Sequence, residues 1–414
     1  MSISLTAEGP ASPAPAFAPE IVWPAMDAAT AELDPPFGAL NLAALRYNAH
    51  DMVRRAGGVP IRVATKSIRI RGLIDSLLAV DGYAGVLAFT LPEAIWLSDL
   101  VDDIVVGYPT ADRGAIRELA GDERLARTIT IMVDSVEHLD FIDACVPPDR
   151  RESIRVCLEL DVSWRGPAPI GFVGVQRSPL RTAAQVAALA RDVVRRPGFT
   201  LVGLMGYEAQ IAGLADDIPS RATWSAFLRW VQRRSMEELV ERRGEVVRVV
   251  SDIVPLEFVN GGGTGSLERT GKDPSVTEIA AGSGILAGHL FDHYASFTPM
   301  PAAAFALPVV RKPSDDVATL LGGGWVASGP PGDDRMPLPV WPTGLAMEPR
   351  EMAGEVQTPL RGEAARWLRV GDRVWLRHAK SGELATRVNS FHVVDDDRVV
   401  DELPTYHGEG KAFL

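Results

Sequence analysis

The chain has 414 residues, 46% hydrophobic and 23% charged, with a formal net charge of −12 and a mean hydropathy of +0.06. This length suits one large domain and one smaller one, and the acidic balance excludes sequence-independent nucleic-acid binding, which needs a basic face. No apolar run approaches the roughly 20 residues of a membrane span, no secretory signal is visible, and two cysteines, Cys145 and Cys157, are too few for a disulfide framework, so a cytoplasmic protein is expected.

Residues 1–37 are rich in Ala and Pro, with prolines at 10, 13, 15, 19, 24, 35 and 36, and read as an irregular arm. Leu40–Ala56 has the spacing of an amphipathic helix, ended by Gly57-Gly58. Short apolar runs then recur at 61–65, 85–89, 104–106, 128–133, 154–162, 201–205, 256–259 and 278–281. Their mean spacing, about 31 residues, is that of a βα unit. Helical periodicity fills most gaps, at 73–80, 92–100, 112–120, 136–144, 183–196 and 221–243. Cys157 falls inside an apolar strand pattern and reads as a small core residue.

Near-continuous apolar strands alternating with helices predict a parallel (β/α)8 TIM-like barrel over residues 38–298. A doubly wound open sheet is the alternative. Residues 299–414 carry Pro/Gly-rich turns, among them Gly322-Gly323-Gly324 and Pro330-Pro331-Gly332. Short alternating runs between them, such as 373–376 and 387–394, predict a smaller C-terminal β-domain.

Barrel enzymes keep their chemistry at the C-terminal strand ends. There, the first strand ends in Thr65-Lys66-Ser67. A lysine partly withdrawn from water has a lowered pKa and can condense with a carbonyl. After the seventh strand comes Asn260-Gly261-Gly262-Gly263-Thr264-Gly265-Ser266, and after the eighth Gly282-Ser283-Gly284. Glycines let backbone N–H groups approach an anion, and Thr and Ser add hydroxyls, so the pair reads as a phosphate cradle. Near the fifth strand, Arg165 and Arg177 could bond a cofactor phenolate or a substrate carboxylate. Tyr207 and Glu208, after the sixth, are placed to meet a ring. An amine that forms an imine, facing a phosphate cradle, is the minimum equipment for pyridoxal phosphate.

The ordered segments Val63-Ala64-Thr65-Lys66-Ser67, Gly203-Leu204-Met205-Gly206-Tyr207-Glu208, Gly262-Gly263-Thr264-Gly265 and Gly282-Ser283-Gly284 with Leu290-Phe291-Asp292 resemble the fold-type III pyridoxal-phosphate enzymes. These share the alanine racemase N-terminal domain; the likeness is nearest to the D-threonine aldolase and D-serine dehydratase group. It covers residues 40–295 well and the C-terminal domain weakly. It implies that Lys66 holds the cofactor covalently, that Gly263, Thr264, Gly282 and Ser283 hold its phosphate, and that Tyr207 faces its ring. It also implies a homodimer whose small domain closes the partner's site.

Relatives in that group carry a divalent metal on the C-terminal domain, bound by a histidine and an acidic residue or cysteine two positions later. The matching stretch is Arg377-His378-Ala379-Lys380-Ser381-Gly382-Glu383. His378 fits the first ligand, but Lys380 stands at the second, and an ammonium cannot coordinate a cation. Either Glu383 or another group completes an altered site, or the Lys380 charge replaces the metal beside the substrate hydroxyl with His378 as the acid–base group. The second reading is preferred. His392 and His407 read as packing or surface residues. The expected activity is a lyase on D-3-hydroxy amino acids that gives glycine and an aldehyde; the alternatives are a dehydratase giving a 2-keto acid and ammonia, and an amino acid racemase.

Overall fold

The computed structural model describes residues 3–7, 9, 18–380 and 382–414. The first strand, β1 (Phe37–Asn41), precedes the helix Leu42–Ala56, whose N-terminus is capped by the Asn41 side chain and whose C-terminus turns at Gly57 with φ +64°. β2 (Ile61–Ala64), β3 (Tyr83–Ala88), β4 (Ile104–Val106), β5 (Ile129–Val133) and β6 (Ile154–Glu159) follow, then a small hairpin of β7 (Trp164–Arg165) and β8 (Phe172–Val173). With β9 (Phe199–Met205), β10 (Phe258–Gly261) and β11 (Glu278–Ala281) the larger strands close a parallel barrel in the order β2-β3-β4-β5-β6-β9-β10-β11. The open sheet is thereby excluded. Closure pairs Ala281 of β11 with Val63 of β2, which sets the two strand ends carrying Gly282 and Lys66 side by side.

The strands alternate between two cores, as the period of two requires. Val105, Met132, Cys157, Val202 and Phe258 fill the barrel interior, while Val86, Ile104, Val106, Ile131, Val133, Val156 and Leu158 pack outward against the helices. Cys157 is fully buried, as its strand pattern predicts. Inside the barrel, the Arg62 guanidinium bonds both oxygens of Glu278 at 2.7 Å and both of Asp103 at 2.9 Å. A charge 3% exposed persists only when paired so fully.

The C-terminal domain comprises β12 (Ala303–Ser314), β13 (Val317–Leu321), β14 (Leu338–Trp341), β15 (Ala346–Met347), β16 (Gln357–Arg361), β17 (Arg373–Arg377), β18 (Ser390–Asp395) and β19 (Arg398–Pro404). Its main path runs β15-β16-β13-β12-β1-β18-β19, with β17 bonded to β12 and β14. The N-terminal β1 thus lies between β12, antiparallel, and β18, parallel.

The arm read over residues 1–37 needs correction where it is described. Pro19–Ala29 is a helix with Val22, Trp23 and Met26 buried against Phe37 and Trp375. Pro19 sits in the first turn, where a missing N–H costs nothing. Pro24, inside the helix, costs up to about 3 kcal/mol, but burying three large apolar side chains returns about 1.5–3 kcal/mol each. The Trp375 indole also donates to Asp27 at 2.9 Å. Prolines 10, 13 and 15 lie outside the described residues. No helix among the described residues is long and apolar enough to cross a membrane.

Candidate active site

Lys66 sits in a single 3-10 turn, Thr65–Ser67, that ends β2. Thr65 is fully buried and bonds the Leu87 carbonyl at 3.0 Å, which fixes the turn to the neighbouring strand. The half-buried Lys66 amine donates to the Tyr108 hydroxyl at 2.8 Å. Tyr108 follows β4 by two residues. The Arg177 guanidinium lies 5.5 Å from the Tyr108 ring, 5.3 Å from the Tyr207 ring and 3.9 Å from the Glu159 carboxylate. Burial pushes the Tyr108 phenol up, but the Lys66 charge, the Lys66 hydrogen bond and Arg177 outweigh it and leave the phenol below its ordinary range. Burial raises Tyr207, and lifts Glu159 to about 7 against the pull of Arg177.

The glycine segments meet beside this group. The Thr264 hydroxyl accepts from the Ser283 hydroxyl at 3.1 Å and from the Gly284 N–H at 3.0 Å, tying the loop after β10 to the loop after β11. A side chain at Gly265 would come within 2.2 Å of the Ala212 carbonyl, one at Gly282 within 2.5 Å of the Ala64 carbonyl, and one at Gly263 within 3.1 Å of the Tyr207 ring. These close approaches are why the loops need glycine. Gly262, at φ +75°, turns its N–H inward to Glu208 at 2.9 Å. Glu208 is fully buried, also accepts from Thr270, and lies 3.3 Å from the buried Arg243. It therefore braces the loop from below, and the sequence expectation that it meets a ring alongside Tyr207 is corrected.

The C-terminal domain packs on its own barrel at the Lys66 turn. Gly382 packs so closely on the Lys66 carbonyl that a Cβ there would overlap it. His378, Lys380 and Glu383 line a cavity of about 340 Å³ at this seam. His378 is 4% exposed, with its ring packed against the Ala303 backbone and both ring nitrogens buried. Burial, then Arg377 and His289, push its pKa down to about 3, so the imidazole is neutral. Lys380 donates to the Ser328 hydroxyl at 3.1 Å; burial lowers its pKa, and the Lys66 charge adds to that. Both Glu383 oxygens accept from the Ser328 N–H, at 3.0 and 3.2 Å.

The donors do not fit a divalent cation. Arg377 and Lys380 flank His378, Arg377 is bidentate to Asp292, and among the described residues no group of three or more His, Cys, Asp or Glu side chains could hold a metal. The residues do fit a phosphorylated pyridine ring. Hydroxyls and a glycine backbone lie on one side, a primary amine on the adjoining strand end, and an aromatic ring with a guanidinium between.

Of the predicted residues, Lys66, Tyr207, Gly263, Thr264, Gly282, Ser283 and Gly284 follow the C-terminal ends of β2, β9, β10 and β11, Arg177 lies beside Tyr207, and His378 and Lys380 line the seam cavity. Arg165 does not join them: it lies on the β7–β8 hairpin, 3.5 Å from Asp161 and stacked on Phe172 at 4.3 Å. Tyr108 and Arg69 escaped the sequence reading. The signal for Tyr108 was its position, Gly107-Tyr108 directly after the strand 104–106, at the edge where the other groups were sought. His392 packs edge-on against Phe37, and His407 is exposed.

Comparison with known proteins identifies the fold and the family. The family of the alanine racemase N-terminal domain matches residues 40–246. The chain is 24% identical over 270 residues to the 3-hydroxy-D-aspartate aldolase of Paracoccus denitrificans, a match covering 63% of this chain and 62% of that relative's length. D-threonine aldolase from Filomicrobium marinum superposes with a TM-score of 0.75 at 19% identity, over 92% of this chain and 97% of the other. D-threo-3-hydroxyaspartate dehydratase from Delftia sp. HT23 gives 0.69 at 17%, over 90% and 97%. With half of its length matched and a closed barrel of the same architecture, the chain belongs to the alanine racemase N-terminal domain family.

Proposed function

We propose that this chain is a pyridoxal-phosphate lyase that cleaves D-3-hydroxy amino acids between Cα and Cβ to glycine and an aldehyde. The observation that carries the reading is the pairing of strand ends. The Lys66 amine and the Gly282-Ser283-Gly284 loop stand on adjoining strands β2 and β11, and Thr264 ties that loop to the one after β10, while His378 and Lys380 line the seam cavity of the C-terminal domain. The family match and the names of the relatives support the same chemistry.

Lys66 is the attachment point, and Gly263, Thr264, Gly282 and Ser283 hold the phosphate. Arg177, flanked by Tyr108 and Tyr207, faces the ring edge. When bound, pyridoxal phosphate supplies an electron-withdrawing ring that accepts the bonding pair released at Cα. Tyr108 accepts and returns a proton at the Lys66 nitrogen, as its short bond to that amine supports. His378, a neutral imidazole on the wall of the seam cavity with one nitrogen free of a proton, is the group proposed to accept the 3-hydroxyl. Lys380 stabilises the negative charge that grows on the 3-oxygen as the C–C bond breaks.

A racemase needs a second base opposite the lysine, and the tyrosines beyond 207 do not offer one here. Tyr406 donates to Glu93 at 2.8 Å, and Tyr294 to the Ala212 carbonyl at 3.2 Å. We also propose a homodimer, to be tested by sedimentation as a species of about twice 44.6 kDa.

Incubation with D-threonine or D-phenylserine tests the activity. Aldehyde and glycine in equal amounts support the reading. Ammonia with a 2-keto acid would make the chain a dehydratase, and loss of optical rotation without either product would make it a racemase.

A further inference from the structure

Glu159, the last residue of β6, has no role in the chemistry proposed for Lys66 and Tyr108. Its carboxylate is 8% exposed and lies 3.9 Å from the Arg177 guanidinium. Among the described residues it is the only carboxylate within ion-pair range of Arg177. The other acids nearby are taken: Asp161 pairs with Arg165 and Arg181, and Asp134, directly after β5, lies 3.2 Å from His138. The backbone repeats the link. The hydroxyl of Ser178, next to Arg177 in the chain, donates to the Glu159 carbonyl at 2.6 Å. Glu159 thus holds both the loop and the charge that the loop carries.

Arg177 is 32% exposed and stands 5.5 Å from the Tyr108 ring and 5.3 Å from the Tyr207 ring. A guanidinium on a flexible stem turns toward water unless something opposes it. An ion pair at 3.9 Å supplies that pull, yet it is too long to be a hydrogen bond. Among the described residues Arg177 makes no hydrogen bond, so its donors stay free for an oxygen on the other side. We infer that Glu159 is the positioning residue for Arg177: its buried carboxylate holds the guanidinium between Tyr108 and Tyr207, with donors ready for the oxygen on the cofactor ring. This rests on the pyridoxal-phosphate reading above and adds a residue to it. Burial and the Asp134 charge push the Glu159 carboxyl up to about 7, against the pull of Arg177 and His138, and Tyr108 and Cys157 also feel its charge. The hold is therefore complete only above that pH.

The test is cofactor affinity at about pH 8.5, where Glu159 is ionised, read by titrating the cofactor-free full-length protein. Pyridoxal phosphate is an anion, so the charge of Glu159 acting alone opposes its binding, and removing that charge would tighten it. The inference expects the opposite: Glu159→Gln releases Arg177 and should weaken binding by about tenfold. Arg177→Met should weaken it at least as much, and adding Glu159→Gln to Arg177→Met should cost nothing further. Glu159→Asp keeps the charge one methylene short and should recover part of the loss; it also keeps the test valid if Glu159→Gln fails to fold. Equal or tighter binding in Glu159→Gln would overturn the inference. So would the same loss in both backgrounds, which would make Glu159 a structural residue only. A second arm needs no cofactor. Crystals of cofactor-free Glu159→Gln should show the Arg177 guanidinium gone from the gap between the two rings; a guanidinium still seated there would overturn the inference. If the native protein takes up no pyridoxal phosphate, the cofactor reading fails, and the crystals alone decide whether Glu159 positions Arg177.

Discussion

Tyr108 and Thr264 make contacts that a single atom removes cleanly. The Tyr108 hydroxyl is the Lys66 amine's direct partner at 2.8 Å, and a hydrogen bond to a charged group is worth about 1.5–3 kcal/mol. Tyr108→Phe should therefore keep the visible absorption of bound cofactor while lowering kcat roughly ten- to hundredfold. A variant that loses the colour as well would make Tyr108 a cofactor anchor instead. The Thr264 hydroxyl accepts from both Ser283 and Gly284 and so sets the distance between the two glycine loops. Thr264→Ala leaves those donors without that acceptor and should weaken cofactor affinity by about tenfold, read by titrating the cofactor-free protein. A change of less than about twofold would contradict its place in the cradle.

Between elements, buried charges hold the site's walls together. Glu93, at the start of the helix Leu91–Leu97, accepts from the Phe89 N–H at 2.7 Å and the Tyr406 hydroxyl at 2.8 Å, joining the barrel to the segment after β19. Burial pushes its carboxyl up to about 7 against the pull of those bonds and of Arg69. The folded chain thus holds the proton more tightly than the unfolded one. This group's contribution is complete below the unfolded pKa of about 4.5 and is lost as pH rises through about 7, by at most roughly 3 kcal/mol. The Tm of Glu93→Gln minus that of the native chain should rise between those pH values; a flat difference would contradict the assignment. Arg243, on the long helix Ala222–Ser251, meets Glu208 at 3.3 Å and Asp273 at 2.9 Å beneath the glycine loop. Arg243→Met strands both carboxylates and should cost about 3–5 kcal/mol in urea unfolding.

For the whole molecule, the strands were readable where sterics decide alone. The runs 61–65, 104–106 and 278–281 fall within a residue of β2, β4 and β11, because a strand buried on both faces is mostly apolar, and the two charges that break the run, Arg62 and Glu278, neutralise each other. The glycine loops were readable because a phosphate cradle restricts side chains. Partners distant in sequence were not. Nothing local in Phe37–Asn41 says that it pairs with β12 and β18, more than 260 and 350 positions away. Nor does Pro19–Ala29 announce Trp375, the residue that gives its apolar face something to cover. Arg165 and Arg177 were equal in sequence; a two-strand hairpin carries one outward and leaves the other beside Tyr207.

Lys66 is one of five lysines in the chain, with Lys272, Lys312, Lys380 and Lys411, so the point of attachment can be read directly. The full-length protein, loaded with pyridoxal phosphate, is reduced with borohydride, digested and sequenced by mass spectrometry. One reduced pyridoxyl phosphate on Lys66, absent in Lys66→Ala, is the expected result. An unmodified Lys66, or the same mass on Lys380 in its place, would contradict the chemistry proposed for this barrel.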